Sequence, residues 1–277
     1  MIKKGDTIGI IALGGNCERN RLEQSIEKIE ALGYKVKLSK NIYDCNNYLA
    51  GSDNDKIDEL HKFFQNPKIK LILNARGGYG AIRLINKINY NLIKANPKPF
   101  CGFSDVTALL LMIYKKTGLI TYHSPMACTN FTNEFNYNNF LKALSGDKLE
   151  FTGNKTYNDG FAKGIIWGGN LSTIVSLCGQ DFIPNKNFIF FAEDLNEPVY
   201  KIDKMFTQLF NIKKFNKYCK GIVLGEFLDT DNEEWLEDFF KTFAVPTIGG
   251  FKISHGSENI TLPIGENAKL IKNTLYI

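Results

Sequence analysis

Three times in its first 110 or so residues the chain runs a short apolar stretch into a glycine-bearing turn and on into a helix-compatible stretch, and this repeated order constrains the fold most. Residues 7–13, ending Ile10-Ile11-Ala12-Leu13, have the unbroken apolar character of a strand buried on both faces. Gly14-Gly15-Asn16 then turns into a predicted helix over 21–32, where Leu22, Ile26, Ile29 and Leu32 follow helical spacing and Gly33 marks the stop. A second strand over 34–38 completes a β-α-β start, which predicts an open parallel sheet with helices on its faces. A helix over 53–65 carries Ile57, Leu60, Phe63 and Phe64 toward the core, and the strand 69–74 runs into Ala75-Arg76-Gly77-Gly78-Tyr79-Gly80-Ala81. The third instance is Phe100-Cys101-Gly102-Phe103-Ser104-Asp105, followed by an apolar helical run from Val106 to Tyr114. Turns that follow strands of one parallel sheet emerge at its carboxyl edge, where such sheets bind ligands.

Two of these turns can carry chemistry. A serine on a sharp strand-to-helix turn has its hydroxyl pushed clear of the backbone, with the following amides aimed at a developing oxyanion. Gly102 supplies half of that elbow signature, but Val106 stands where a second glycine is usual. On this stretch alone Ser104 reads more readily as an N-cap than as a nucleophile. The Gly77-Gly78-Tyr79-Gly80 turn lets backbone approach a ligand closely and leaves amides available to an anion. Gly14-Gly15 lacks the G-x-G-x-x-G spacing of a dinucleotide site.

Beyond a predicted strand at 118–125, residues 129–163 are Asn-rich and weakly periodic, with a helix near 138–144, and read as a connecting segment between a 1–128 domain and a 164–277 domain. The second module opens with Ile165-Ile166-Trp167-Gly168-Gly169-Asn170-Leu171 and a helix through 177. Phe188-Ile189-Phe190-Phe191-Ala192 breaks into Glu193-Asp194; Asp194 and Glu197 are explained as helix-capping acids, whereas Glu193 directly follows five apolar residues. Strands over 221–225 and 245–248, helices over 201–210 and 233–242, and a closing strand over 262–264 complete the pattern. Of the three histidines, His61 sits on an amphipathic helix and His123 at a strand end. His255, on a glycine-bearing loop, is placed like a catalytic base, and equally like a solvated loop residue.

The formal charge of +5 is spread over isolated lysines with no basic block, which disfavours a nucleic-acid partner. Six scattered cysteines with no C-x-x-C pair and no metal-ligand spacing read as reduced thiols. The opening Met1 to Asp6 leads straight into a strand, and no apolar stretch reaches membrane-span length, so a cytoplasmic protein without a membrane partner is expected.

In order along the chain, Gly5-Asp6-Thr7-Ile8-Gly9-Ile10, Arg76-Gly77-Gly78-Tyr79-Gly80, Gly102-Phe103-Ser104-Asp105-Val106-Thr107-Ala108, Gly168-Gly169-Asn170-Leu171, Glu193-Asp194 and Ser254-His255-Gly256 resemble the LD-carboxypeptidase and microcin-C-resistance type of serine peptidase. The resemblance runs almost end to end, and it overrides the capping reading of Ser104. It implies an N-terminal open, mostly parallel α/β domain of Rossmann or flavodoxin-like form carrying the nucleophile, a smaller C-terminal α/β domain carrying carboxylate and base, and an active site between them. Ser104, Glu193 and His255 match the family's catalytic triad, and the amides of Gly78 and Asp105 its oxyanion hole. Arg76, Tyr79, Arg83, Trp167 and Asn170 are the candidate substrate contacts. Either arginine would serve for a free carboxylate; Trp167 or another aromatic could stack a nucleobase, although Trp167 reads more readily as core packing. The resemblance further implies no metal or other cofactor, a homodimer, and release of terminal D-alanine from muropeptide tetrapeptides during cell-wall recycling. Cleavage of a toxic peptidyl-nucleotide is the alternative within the family, and a non-catalytic doubly wound binding protein the alternative outside it. The chain departs from the family pattern at Ala12-Leu13-Gly14-Gly15 where a Pro-Ser turn is usual, at Ser124 after His123, and at Lys204 after Asp203, where a lysine lacks arginine's bidentate fork.

Overall fold

The computed structural model describes residues 2–277; Met1, the first residue of the expected lead-in, lies outside them. The chain divides into two compact units, one comprising the chain to Gly146 together with Ile260–Pro263, the other Asp147–Asn259 with Ile264–Ile277.

The first unit contains β1 (Thr7–Ile11), α1 (Arg19–Ala31), β2 (Lys35–Leu38), α2 (Asp53–Gln65), β3 (Ile69–Asn74), α3 (Tyr90–Ala95), β4 (Phe100–Gly102), α4 (Thr107–Thr117), β5 (Thr121–His123) and α5 (Glu134–Ser145). One-turn 3-10 segments, Ala81–Leu84 and Ser104–Val106, follow the turns after β3 and β4. β2, β1, β3, β4 and β5 are neighbours in that order and pair in parallel. The order reverses at β1, so the turns after β1 and β3 leave the same edge of the sheet on either side of the switch point, where doubly wound sheets hold their ligands. The central strands β1, β3 and β4 are mostly apolar and buried: Ile8, Ile10, Leu71, Leu73 and Cys101 pack with Leu22 and Ile29 of α1 and Phe140 of α5 in one core, whereas edge strand β2 alternates exposed lysines with half-buried Val36 and Leu38. Ser52 starts α2 by accepting a hydrogen bond from the Asp55 amide, with Asp53 and Asp55 in its first turn.

The second unit contains β6 (Glu150–Thr152), β7 (Lys155–Asn158), β8 (Phe161–Asn170), α6 (Leu171–Ser176), β9 (Phe188–Leu195), α7 (Val199–Asn211), α8 (Lys213–Tyr218), β10 (Cys219–Leu228), α9 (Glu233–Lys241), β11 (Thr247–Gly249), β13 (Asn267–Ile271) and β14 (Thr274–Tyr276). Its sheet runs β6-β14-β13-β8-β9-β10-β11-β7; β8 to β11 are parallel, and antiparallel strands flank them on both sides. The α/β architecture expected from the strand-turn-helix repeats is the one observed.

Three expectations need correction in detail. Residues 129–163 are not a connecting segment: the helix expected near 138–144 is α5 of the first unit, and β6, β7 and the start of β8 belong to the second. Short polar strands such as Glu150–Thr152 carry too little apolar periodicity to be seen before they find a partner. The closing strand, β12 (Leu262–Ile264), pairs beside β5 in the first sheet, so the 164–277 stretch does not form one unit. Finally, Cys17 and Cys128 are joined in a disulfide, their Cα atoms 6.4 Å apart across a sequence separation of 111, where reduced thiols were expected. Nothing in the local spacing of these cysteines signals a pair that only the folded loops bring together. Among the described residues no helix is long and apolar enough to cross a membrane.

Candidate active site

In the first unit the turns after β3 and β4 meet. Ser104 adopts φ +60, a left-handed conformation that costs a non-glycine residue energy. The N-cap positions of the two segments that follow β4 fall at Phe103 and Val106, so Ser104 is not the helix cap that its local sequence favours. Gly77 lies directly against it: a Cβ added at Gly77 would stand 2.9 Å from Ser104 Cβ and 3.0 Å from its Oγ, so no larger residue fits without moving the hydroxyl. Gly78, at φ +90, continues the turn in a conformation glycine adopts without strain. The turn is pinned from both sides, by the Gly15 amide donating to Gly77 O at 2.7 Å and the Ala81 amide donating to Asp105 Oδ2 at 2.9 Å. Burial pushes the Asp105 carboxyl up to about 6, opposed by the Ala81 amide, the charge of Lys56 and the Gly80 amide.

In the second unit Glu193 and His255 form a pair. Asn170, the last residue of β8, lies opposite Glu193, two residues short of the end of β9, and Glu193 is completely buried. Its Oε2 is 2.6 Å from His255 Nδ1, while Oε1 is buried with no hydrogen-bond partner among the described residues. Such a carboxylate fixes the imidazole's orientation and tautomer and favours a proton on Nδ1. Burial by itself would hold the His255 pKa down; the Glu193 hydrogen bond and charge, with the charge of Asp194, more than offset it, and the group sits above the usual imidazole value. The His255 side chain keeps 16% exposure against 0% for Glu193, so the ring is reachable and the carboxylate is not.

The loop carrying His255 is braced by a residue that sequence reasoning missed. Glu226, near the end of β10, accepts from Ser254 Oγ at 2.6 Å, and Ser254 Oγ in turn accepts from the Gly256 amide at 2.8 Å. Lys252 also pairs with Glu226, at 3.2 Å. The signal was present, since an acid follows the apolar run 221–225 much as Glu193 follows 188–192.

The family model of the LD-carboxypeptidase N-terminal domain matches residues 8–124, and that of the C-terminal domain matches residues 163–270. The chain belongs to the LD-carboxypeptidase family. It is a serine-type carboxypeptidase, a hydrolase. It is 33% identical over 97% of its length to the probable murein peptide carboxypeptidase of Bacillus subtilis, of which 90% is covered. It is 28% identical to the microcin C7 self-immunity protein MccF of Escherichia coli, over 94% of this chain and 89% of that one. Among solved structures, an MccF-like protein of Bacillus anthracis superposes with a TM-score of 0.92 at 27% identity, covering 100% of this chain and 97% of the other.

Within this LD-carboxypeptidase the candidate substrate contacts separate by environment. Arg76 is exposed, with Nη1 donating to Asn16 O at 3.1 Å. Tyr79 is exposed and packs against Tyr48, their rings 5.8 Å apart. Arg83 is committed elsewhere: its Nε reaches both oxygens of Asp53 at 3.0 and 3.2 Å. Trp167 is not a nucleobase platform, because it is fully buried among Phe182, Phe188, Phe190 and Phe215. Asn170 is not free to meet substrate either. Its Oδ1 caps α6 through the Thr173 amide at 3.1 Å, and its Nδ2 donates to Asp194 Oδ1 at 2.9 Å. His61 accepts from the Asn89 amide at 3.0 Å and His123 is buried edge-on to Phe103, both framework roles. No group of three or more His, Cys, Asp or Glu side chains among the described residues is arranged to hold a metal ion.

Proposed function

We propose that the protein is an LD-carboxypeptidase that releases the terminal D-alanine of a muropeptide tetrapeptide, with Ser104 as nucleophile, His255 as general base and acid, and Glu193 as the orienting carboxylate. Ser104 Oγ attacks the carbonyl carbon of the L-configured centre of the diamino acid, while His255 Nε2 takes the hydroxyl proton. The amides of Gly78 and Asp105 donate to the oxyanion. His255 returns the proton to the departing amine of D-alanine, and a water deprotonated by the same ring then hydrolyses the acyl-enzyme, regenerating Ser104. The observation that carries this reading is Ser104 at φ +60 with the Gly77 backbone packed on its hydroxyl, an arrangement that a capping serine does not require. The buried Glu193 bonded to His255 Nδ1 supports the assigned base.

The substrate class rests on the family and on the relative named as a murein peptide carboxypeptidase. Recognition of the free D-alanine carboxylate falls to Arg76 rather than Arg83, whose guanidinium is already held by Asp53. The MccF relatives make a peptidyl-nucleotide the second substrate to test, but Trp167 lies in the core and offers it no platform. Cytoplasmic location, a homodimer and a place in peptidoglycan recycling belong to the same proposal. Mass spectrometry of each substrate after incubation with wild type and Ser104→Ala distinguishes the readings. Loss of one D-alanine with wild type alone supports the carboxypeptidase, cleavage of the peptidyl-nucleotide alone transfers the protein to the other activity, and equal cleavage by the variant refutes the nucleophile.

A further inference from the structure

A lysine lies where the chain's patterning gives no reason for one. Lys56, on the apolar face of α2 with Leu60, Phe63 and Phe64, is completely buried, so its ammonium does not snorkel to water. A buried ammonium is retained only where it is paired, because desolvation is costly. Its Nζ donates to Gly14 O at 3.2 Å, and a Cβ at Gly80 would stand 3.1 Å from it, so it abuts both the turn after β1 and the end of the glycine turn after β3. The charges of Asp53 and Asp105 favour its protonated form, Asp53 the more strongly, and Arg83 opposes them. Asp53 is already matched by Arg83 and by Lys87 at 2.9 Å, whereas the cation whose charge holds Asp105 down is Lys56. Asp105 in turn holds the Ala81 amide, and Gly14 is so close that a Cβ there would stand 3.0 Å from Asp105 Oδ2 and strike Gly77 O.

We propose that Lys56 is a positioning residue: bound to Gly14 O and facing Asp105, it clasps the turns after β1, β3 and β4 together and so sets the spacing of the Gly78 and Asp105 amides. The inference rests on the reading above, in which those two amides hold the oxyanion. Donors fixed before the reaction stabilise the transition state more than the bound substrate, so loosening the clasp acts on kcat.

The test combines steady-state hydrolysis of a muropeptide tetrapeptide with amide hydrogen exchange, on wild type, Lys56→Met, Lys56→Gln, Asp105→Asn and the Lys56→Met/Asp105→Asn double variant. Lys56→Met is expected to lower kcat about 30-fold with KM within about twofold, the pattern of a lost transition-state interaction. Exchange at the Gly15 and Ala81 amides is expected to quicken while α4 is unchanged. Lys56→Gln, which keeps a donor without the charge, is expected to fall between wild type and Lys56→Met, and it carries the test if the methionine variant does not fold. The double variant is expected to lose less than the product of the two single losses, because removing both charges leaves neither unpaired. An unchanged kcat, a loss confined to KM, or strictly multiplicative losses would each overturn the clasp. If wild type releases no D-alanine, the functional reading fails on its own, and exchange still decides: faster Gly15 and Ala81 amides support the clasp, and unchanged ones refute it.

Discussion

The turn that presents Ser104 and the pair formed by Glu193 and His255 are built in opposite ways. Around Ser104 the working parts are backbone: a left-handed serine, a glycine packed against its hydroxyl, and amides set by the course of three loops. At His255 the working parts are side chains, a carboxylate rooted in a buried strand and a ring on a loop tied down by Glu226. A site made of backbone fails through shape, since one added methyl displaces it. A site made of side chains fails through charge, and its failure shows in the pH profile.

The largest expected effect is the loss of Ser104. Ser104→Ala is expected to lower kcat by about 10⁶-fold with the fold intact, measured by D-alanine release, because in the proposed mechanism no other group forms the acyl-enzyme. Next comes Glu193→Gln, expected to cost about 10³- to 10⁴-fold in kcat by loss of the tautomer-fixing charge. Its distinguishing mark is the acid limb of kcat/KM. His255 must be neutral to accept the proton, and its pKa is raised in the folded protein, so the wild-type limb lies above the ordinary imidazole value of about 6.5. The amide variant should move that limb to lower pH. The same shift is a stability statement: the pairing contributes fully below the unfolded-state pKa and is lost as pH rises through the higher folded value.

On the backbone side, Gly77→Ala is expected to lower kcat about 100-fold without moving the pH limb, since its methyl would meet Ser104 Cβ at 2.9 Å. A variant that instead shifted the pH profile would erase the distinction between the two regions. The smallest expected effect is that of Asn170→Ala. Losing the α6 cap should cost about 1 kcal/mol in denaturant unfolding, while KM for the tetrapeptide stays within about twofold. A large rise in KM would restore Asn170 as a substrate contact.

What was legible in the sequence follows the same division. The strands at 7–11, 69–74 and 188–192 and the glycine turns after the first two announce themselves because apolar runs and glycines act locally. Ser104 and Glu193 stand out only as residues that end apolar runs and His255 only as a histidine on a glycine-bearing loop, and it took the family resemblance to choose a nucleophile over a cap. What escaped notice depends on contacts distant in sequence. Lys56 looks like any helix-surface lysine until its position on the 56-60-63-64 face is weighed, and Cys17 and Cys128 carry no mark of each other. For Trp167 the favoured reading, core packing, is the one observed, and the nucleobase platform falls away. β12 could be read as a strand but not assigned to its sheet, since its three residues name no partner.

The central claim is that Ser104 is a nucleophile activated by His255. A fluorophosphonate probe tests it directly, with intact-mass analysis and peptide mapping of wild type, Ser104→Ala and His255→Ala. One adduct on Ser104 in wild type, none in Ser104→Ala and labelling slowed at least 100-fold in His255→Ala is the predicted result. An adduct on another residue, or labelling indifferent to His255, would contradict it.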